Sequence, residues 1–363
     1  MRASLSTGLG SEGVSRRSML LGAVTCAVAA TVSPAMGRKA MSKAPKLVAP
    51  ITDHHVHLGT PALADQIEVI DKEDPTAFQF LSKDIFIRPT PADALRILDE
   101  AGVKRAVMLS TAYLFVPSGP LPDAAKAFRS MREENRFIVD TALASRGRFI
   151  AFIAINPFAA NAQDELNYWE GKPGVSGIKL HLGGAGFHAS NSEQVAILAK
   201  FFAQAREAHL PLVVHLRGGG PFPKSDVETF IDKVLSQVRN LPVQIAHGGG
   251  YAGADPATID SLTAFGEAIA RKAPGTRNLV FDISGVVLPE DTAKALGSSD
   301  AQLKIFVDLM RKIGLDRFVI GSDWPALGRI APYYALMRRK LPFTDAEWAT
   351  LCSNEAPYLR HRA

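Results

Sequence analysis

Five of the nine histidines sit inside or at the ends of short apolar runs, where chance would scatter them. His55 and His57 belong to Asp53-His54-His55-Val56-His57, and His181 follows Gly177-Ile178-Lys179-Leu180. His215 ends Leu212-Val213-Val214, His247 ends Val243-Gln244-Ile245-Ala246, and Asp323 follows Phe318-Val319-Ile320-Gly321-Ser322. Imidazole nitrogens hold Zn²⁺ at about 2.0–2.1 Å, and a set of nitrogens with one carboxylate suits Zn²⁺ or a similar divalent ion. On a strand, side chains alternate faces, so Asp53, His55 and His57 are expected together with His54 turned away. Lys179 and His181 share a face by the same rule, which suits either substrate contact or, for Lys179, a structural salt bridge. Arg217, two residues beyond His215, has the planar fork that clamps a carboxylate, or else lies at the surface. His188, His209 and His361 fall in a loop, at a helix end and in the tail, and carry no such expectation.

For these groups to meet, the runs that carry them must be neighbouring strands ending at one rim. Eight β-rich runs are predicted at 51–57, 105–110, 149–155, 175–182, 211–216, 242–247, 278–284 and 317–322, each followed by a helical pattern. Val195, Leu198, Phe202 and Ala205 recur at helical spacing, Thr90-Pro91 predicts a capped helix start, Ser225 to Glu228 has the form of a capping box, and a helix is expected to start at Pro325. Eight alternations predict a single-domain (β/α)₈ TIM barrel over 51–363, with an open doubly wound sheet as the alternative. In a barrel, the loops after strand C-termini build the active-site face, and several here are glycine-rich without matching a phosphate loop or dinucleotide fingerprint. The long connection 58–89, with Phe78, Phe80 and Phe86, is expected to form a lid.

A chain of 363 residues that is 47% hydrophobic and 21% charged is neither disordered, collagen-like nor a multi-span membrane protein. Its 41 basic and 36 acidic residues are dispersed, so no nucleic-acid partner is expected. Ser15-Arg16-Arg17-Ser18, an apolar stretch from Met19 to Val32 and Ser33-Pro34-Ala35 have the layout of a cleavable signal peptide over 1–35, followed by a linker over 36–50. That stretch is short of the ~20 residues of a stable membrane span. The arginine pair resembles the twin-arginine export signal, which implies the twin-arginine machinery as partner and a periplasmic location; a general secretory signal and an uncleaved anchor are the alternatives. Cys26 leaves with the signal, so Cys352 has no disulfide partner within the chain and is expected to be a buried, inert thiol.

The motifs quoted above, with Gly321-Ser322-Asp323-Trp324-Pro325, resemble the amidohydrolase superfamily in its amidohydrolase-related (amidohydrolase 2) branch, from about Ile51 to Ala356. The resemblance implies a metal-dependent TIM barrel that hydrolyses lactones or other ester and amide bonds, or decarboxylates unsaturated and aromatic acids. It implies His55, His57, His215 and Asp323 as metal ligands and His247 as the acid/base or water-orienting residue. It also implies one ion, most simply Zn²⁺, or two if Lys179 is carbamylated and bridges them.

Zn²⁺ lowers the pKa of bound water from 15.7 to about 7, so such a site supplies a nucleophile at neutral pH. The expected activity is hydrolysis of a small-molecule carboxylic ester, lactone or amide, with Asp323 accepting the water proton and His247 protonating the leaving group. Decarboxylation is the alternative, with His247 protonating the carbanion. A binding barrel without turnover is the third reading.

Overall fold

The structure, a computed structural model, describes residues 49–360. The expected signal peptide, nearly all of the linker and His361 lie outside the described residues. Each predicted apolar run contains one strand: β1 Thr52–Val56, β2 Arg105–Leu109, β3 Phe149–Ala154, β4 Val175–His181, β5 Leu212–His215, β6 Val243–Ile245, β7 Leu279–Asp282 and β8 Phe318–Val319. All pair in parallel and in chain order. The ends of the sheet meet where Val56 bridges Trp324 and the His54 N–H donates to the Ile320 carbonyl at 2.9 Å, so a TIM barrel forms and the open sheet is excluded.

Eleven α-helices are described: α1 Pro61–Glu73, α2 Pro91–Ala101, α3 Ala124–Ala144, α4 Ala162–Trp169, α5 Ser192–Glu207, α6 Lys224–Thr229, α7 Pro256–Ala270, α8 Glu290–Ala295, α9 Asp300–Ile313, α10 Ile330–Lys340 and α11 Asp345–Ser353. Thr90 caps α2 in a reciprocal box with Asp93, and α5 buries Val195, Leu198, Phe202 and Ala205 as its spacing predicts. Two helix starts differ from expectation. Pro223 takes the cap position of α6, which places Ser225 inside the helix and leaves no capping box. Pro325 lies in a turn, and α10 begins only at Ile330. Cys352 is buried in α11, and burial pushes its thiol up to about 12. Among the described residues no helix is long and apolar enough to cross a membrane.

Two apolar layers hold the barrel. The outer one packs helices on strands, with Val56, Leu98, Met108 and Tyr334 among its members. The inner one joins Val107, Leu109, Ile150, Phe152, Val213, Val280 and Val319 to Ala356, Tyr358 and Leu359 of the C-terminal segment. Branched and aromatic side chains filling the cylinder make it a packed core rather than a pore. Phe152 is fully buried there, so truncation to Ala is expected to cost roughly 3–5 kcal/mol.

The first strand corrects the simple alternation. Its pairing with β2 shifts register between Asp53 and Val56, and the irregularity re-aims the side chains between them. Asp53 therefore does not share a face with His55 and His57. Its carboxylate accepts the Tyr334 hydroxyl of α10 at 2.7 Å and the Ser322 N–H at 2.9 Å, and burial raises its pKa to about 6. His54 donates from Nδ1 to the Ile320 carbonyl and accepts the Ala356 N–H at Nε2, so both its nitrogens are used structurally.

Candidate metal centre and substrate cavity

His55, His57 and Asp323 present ligand atoms within 4.8 Å of one another. The strand ends bring them there: β1 delivers the two imidazoles, and the Asp323 N–H donates to the His55 carbonyl at 2.8 Å. At Gly321 a Cβ would stand 2.7 Å from the Cβ of His55, so only glycine lets β8 lie this close to β1. Asp323 itself has φ of 56° and His247 the same value, a left-handed conformation uncommon outside glycine. Both reactive candidates thus sit on backbone that turns sharply at the end of its strand.

Hydrogen bonds fix which nitrogen each ring offers. His57 Nδ1 lies 2.7 Å from the Leu109 carbonyl, which can only accept, so the proton is on Nδ1 and the Nε2 lone pair faces Asp323 Oδ1 at 3.1 Å. His55 donates from Nδ1 to Asp282 Oδ2 at 3.1 Å, leaving Nε2 3.5 Å from the same Asp323 oxygen. Two lone pairs and a carboxylate oxygen repel one another unless a cation stands among them. Ligands about 2.1 Å from one ion stand roughly 3.0–3.4 Å apart at right-angled to tetrahedral geometry, close to the 3.1 and 3.5 Å that separate Asp323 Oδ1 from the two rings. Burial, and after it the charge of Lys179, hold His55 at about 3, so the ring is neutral as a ligand must be. Burial opposes ionisation of Asp323, but positive charge on the side of His55 and His57, where a cation would stand, outweighs it and keeps the carboxyl well below the usual range. Neutral imidazoles beside an ionised carboxylate fit a divalent ion.

The other expected residues gather around this point in different roles. His215 packs its ring against His181 and His247, with centroids 4.1 and 4.7 Å away. Its Nε2 is buried with no hydrogen-bond partner among the described residues, and burial lowers the ring's pKa well below normal. An unsatisfied buried nitrogen is costly unless something not present in the chain completes it. His247 donates from Nδ1 to the Ser284 carbonyl at 2.8 Å, which leaves Nε2 for the cavity. Lys179 is buried with Nζ 3.5 Å from His55 Nε2, and burial brings its ammonium down to about 8 against the pull of Asp282 and Asp323. His181 accepts the Gly184 N–H at Nδ1, so its proton is on Nε2 and it is a donor, the opposite of His55, His57 and His247.

Arg217 is the exception. Its Nη2 pairs with Asp255 Oδ2 at 2.5 Å, and the other oxygen of Asp255 caps α7 through the Thr258 N–H. With Nη2 directed at that cap, Arg217 is buried and does not line the cavity, so it lies neither at the surface nor in the cavity wall, the two places expected for it.

Sequence reasoning missed Asp282. Buried at the end of β7, it receives His55 Nδ1, Gln244 Nε2 at 2.8 Å and the His247 N–H at 3.2 Å. Burial alone would raise its pKa, yet His55 and its other partners hold it far below normal. His55, His247 and Asp282 also lie within ligand reach of one another, but their close contacts there are ring-orienting hydrogen bonds. The one signal available was a carboxylate inside the apolar run Leu279-Val280-Phe281-Asp282-Ile283.

These groups floor a cavity of about 650 Å³. Its roof is the 58–89 connection, which is not one loop but α1 followed by a 3₁₀ turn at Lys83–Phe86. Phe78 and Phe80 line the cavity, whereas Phe86 lies beneath the Lys83 ammonium and outside the cavity wall.

A family model described as amidohydrolase matches residues 52–354. A 2,6-dihydroxybenzoate decarboxylase from Rhizobium is similar in fold, at 15% identity and a TM-score of 0.54 over 84% of this chain and 96% of that one. A 5-carboxyvanillate decarboxylase from Novosphingobium aromaticivorans, complexed with manganese, is similar at 16% identity and a TM-score of 0.52, over 85% and 95%. An amidohydrolase from Burkholderia multivorans with bound zinc gives 16% and 0.52, over 84% and 96%. No curated protein matches the chain.

Proposed function

This chain belongs to the amidohydrolase family, and from that premise we propose that its barrel is a metal-dependent decarboxylase of an unsaturated or aromatic carboxylic acid. The observation that carries the reading is the convergence of the His55 and His57 Nε2 lone pairs on one Asp323 oxygen at the floor of a largely apolar cavity. His55, His57 and Asp323 would hold the ion, with His215, whose Nε2 is unpartnered among the described residues, packed against His181 and His247 beside them. A divalent ion there supplies a Lewis acid for the carboxylate and stabilises the charge that develops as the bond breaks. Manganese and zinc both fit this nitrogen and oxygen set, and similar folds hold one or the other.

The chain's own groups do the rest. Lys179, the buried cation beside His55, attracts the carboxylate end of the substrate to the floor. Apolar walls keep water from that carboxylate, and an unsolvated carboxylate loses CO₂ more readily than a hydrated one. The carbon–carbon bond breaks, its electron pair stays on the substrate carbon, and His247, entering the step protonated on both nitrogens, gives that carbon the proton from Nε2 and regains one from water before the next turnover. Ser284 holds the other nitrogen of His247 and keeps the ring aimed.

Hydrolysis of an ester, lactone or amide is the second reading. It is favoured by Asp323, whose carboxylate lines the cavity and can accept a proton from water attacking a carbonyl. The products separate the two. Metal-loaded full chain, incubated with aromatic and unsaturated acids and separately with lactones and esters, is expected to release CO₂ from an acid; titratable acid from an ester or lactone without CO₂ from any acid would replace the first reading by the second. Residues 1–35 belong to the same proposal as a twin-arginine signal, tested by N-terminal sequencing of the exported protein.

A further inference from the structure

The cavity is far larger than the chemistry at its floor requires. A benzene-sized ring occupies a cavity of about 150 Å³, and the cavity here holds about 650 Å³. A single-ring acid seated at the histidines would leave most of it to water. Its roof is mainly apolar, with Gln66 and the exposed Glu73 and Asp74 as the polar exceptions on and just after α1. Leu63, Ala64, Ile67 and Ile70 form one stripe of α1 and line the cavity, while Asp65 and Glu68 on the same helix turn outward to Arg88. Ile67, Ile70, Phe78 and Phe80 remain only partly buried although they line it, so large apolar surfaces face the space directly. Leu288 and Leu296 face it as well. Of the cations in the wall, Lys179 lies at the floor and Arg88 is already paired with Asp65 and Glu68.

We propose that the substrate is an amphiphile whose single carboxyl or carbonyl head reaches the histidine floor and whose uncharged apolar body, of at least two benzene-sized rings or a chain of similar bulk, fills the space beneath α1 and residues 77–87. The proposal rests on the reading that the floor is the reacting end. Apolar contact with the roof supplies affinity, and the charges that line it, Arg88 paired with Asp65 and Glu68 and the exposed carboxylates of Glu73 and Asp74, disfavour a body carrying a second negative group.

Straight-chain carboxylates from acetate to dodecanoate, titrated into the metal-loaded full chain by calorimetry, test it without knowledge of the substrate. Kd is expected to fall about three- to fourfold per added methylene until the cavity is full. In Ile67→Asp and Phe78→Asp this dependence is expected to flatten while acetate binds as before. A Kd independent of chain length, with acetate still bound, would overturn the amphiphile and leave the metal-centred reading standing. Equal tightening in the wild type and both variants would overturn it too, because the chain would then lie elsewhere. A protein that retains neither metal nor acetate would bring down the reading of the floor, and the amphiphile with it.

Discussion

The floor and the roof of the cavity are built by opposite rules. On the floor a hydrogen bond fixes one nitrogen of each of three rings: His57 Nδ1 is held by a carbonyl of β2, His55 Nδ1 by Asp282, and His247 Nδ1 by the Ser284 carbonyl. His55 and His247 are buried and His57 half-buried, at strand ends that the sheet fixes in place. On the roof, α1 contributes apolar side chains left partly exposed, with its ion pairs on the outer side. A rigid, directional floor suits chemistry, which needs atoms placed within about half an ångström, whereas a non-directional apolar roof suits recognition of bulk.

Substitutions on the floor should therefore cost far more than those on the roof, and removal of a ligand should cost most. Asp323→Ala or His57→Ala is expected to abolish metal retention and turnover together, with bound metal falling from about one ion per chain to background by elemental analysis. Retention of the ion by both variants would move the centre elsewhere. His247→Ala is expected to keep the metal and lose about 10²–10⁴-fold in rate, as for removal of a general acid. If His247→Ala lost the ion instead, His247 would be a ligand and its assigned role would be wrong.

The next effect lies beneath the floor. Tyr358 of the C-terminal segment donates to Gln244 Oε1 at 2.6 Å, and Gln244 Nε2 donates to Asp282, which orients His55. Gln244→Leu should weaken metal binding about 10–100-fold by loosening that carboxylate. It also leaves the buried Tyr358 hydroxyl without its partner, at roughly 1–3 kcal/mol. Adding Tyr358→Phe should restore stability but not affinity. Recovery of both would make Gln244 a packing residue only.

The contrast also explains what the sequence could disclose. Strand ends are local, so His215, His247 and Asp323 could be read from the apolar runs that precede them. Asp282 could not, because its partner His55 is 227 residues away. The register shift in β1 is a property of two strands, and alternation within 53–57 therefore misplaced Asp53. Arg217 had a suitable side chain, but Asp255, the cap of a later helix, claims it. The roof was visible only as a long connection with phenylalanines; which of them faces inward depends on α1 and the 3₁₀ turn packing over a floor built by other strands.

The joint between the two regions carries the smallest effect. Thr60 caps α1 three residues after His57, and its N–H and hydroxyl both donate to Glu134 of α3, the hydroxyl at 2.6 Å. Burial raises Glu134 to about 7, only partly opposed by those hydrogen bonds. A carboxyl whose folded pKa lies above its unfolded value favours the folded state when protonated. Its contribution is therefore complete below about pH 4.5 and declines as pH rises to about 7, on the order of 3 kcal/mol in all. Glu134→Gln cannot ionise, so chemical denaturation should show a flatter pH dependence over that window than the wild type. In the wild type the first turn of α1 should exchange its amide hydrogens more readily above pH 7 than below it, after correction for intrinsic rates, while the strands of the floor do not. Parallel loosening of floor and roof would mean that the joint does not separate them.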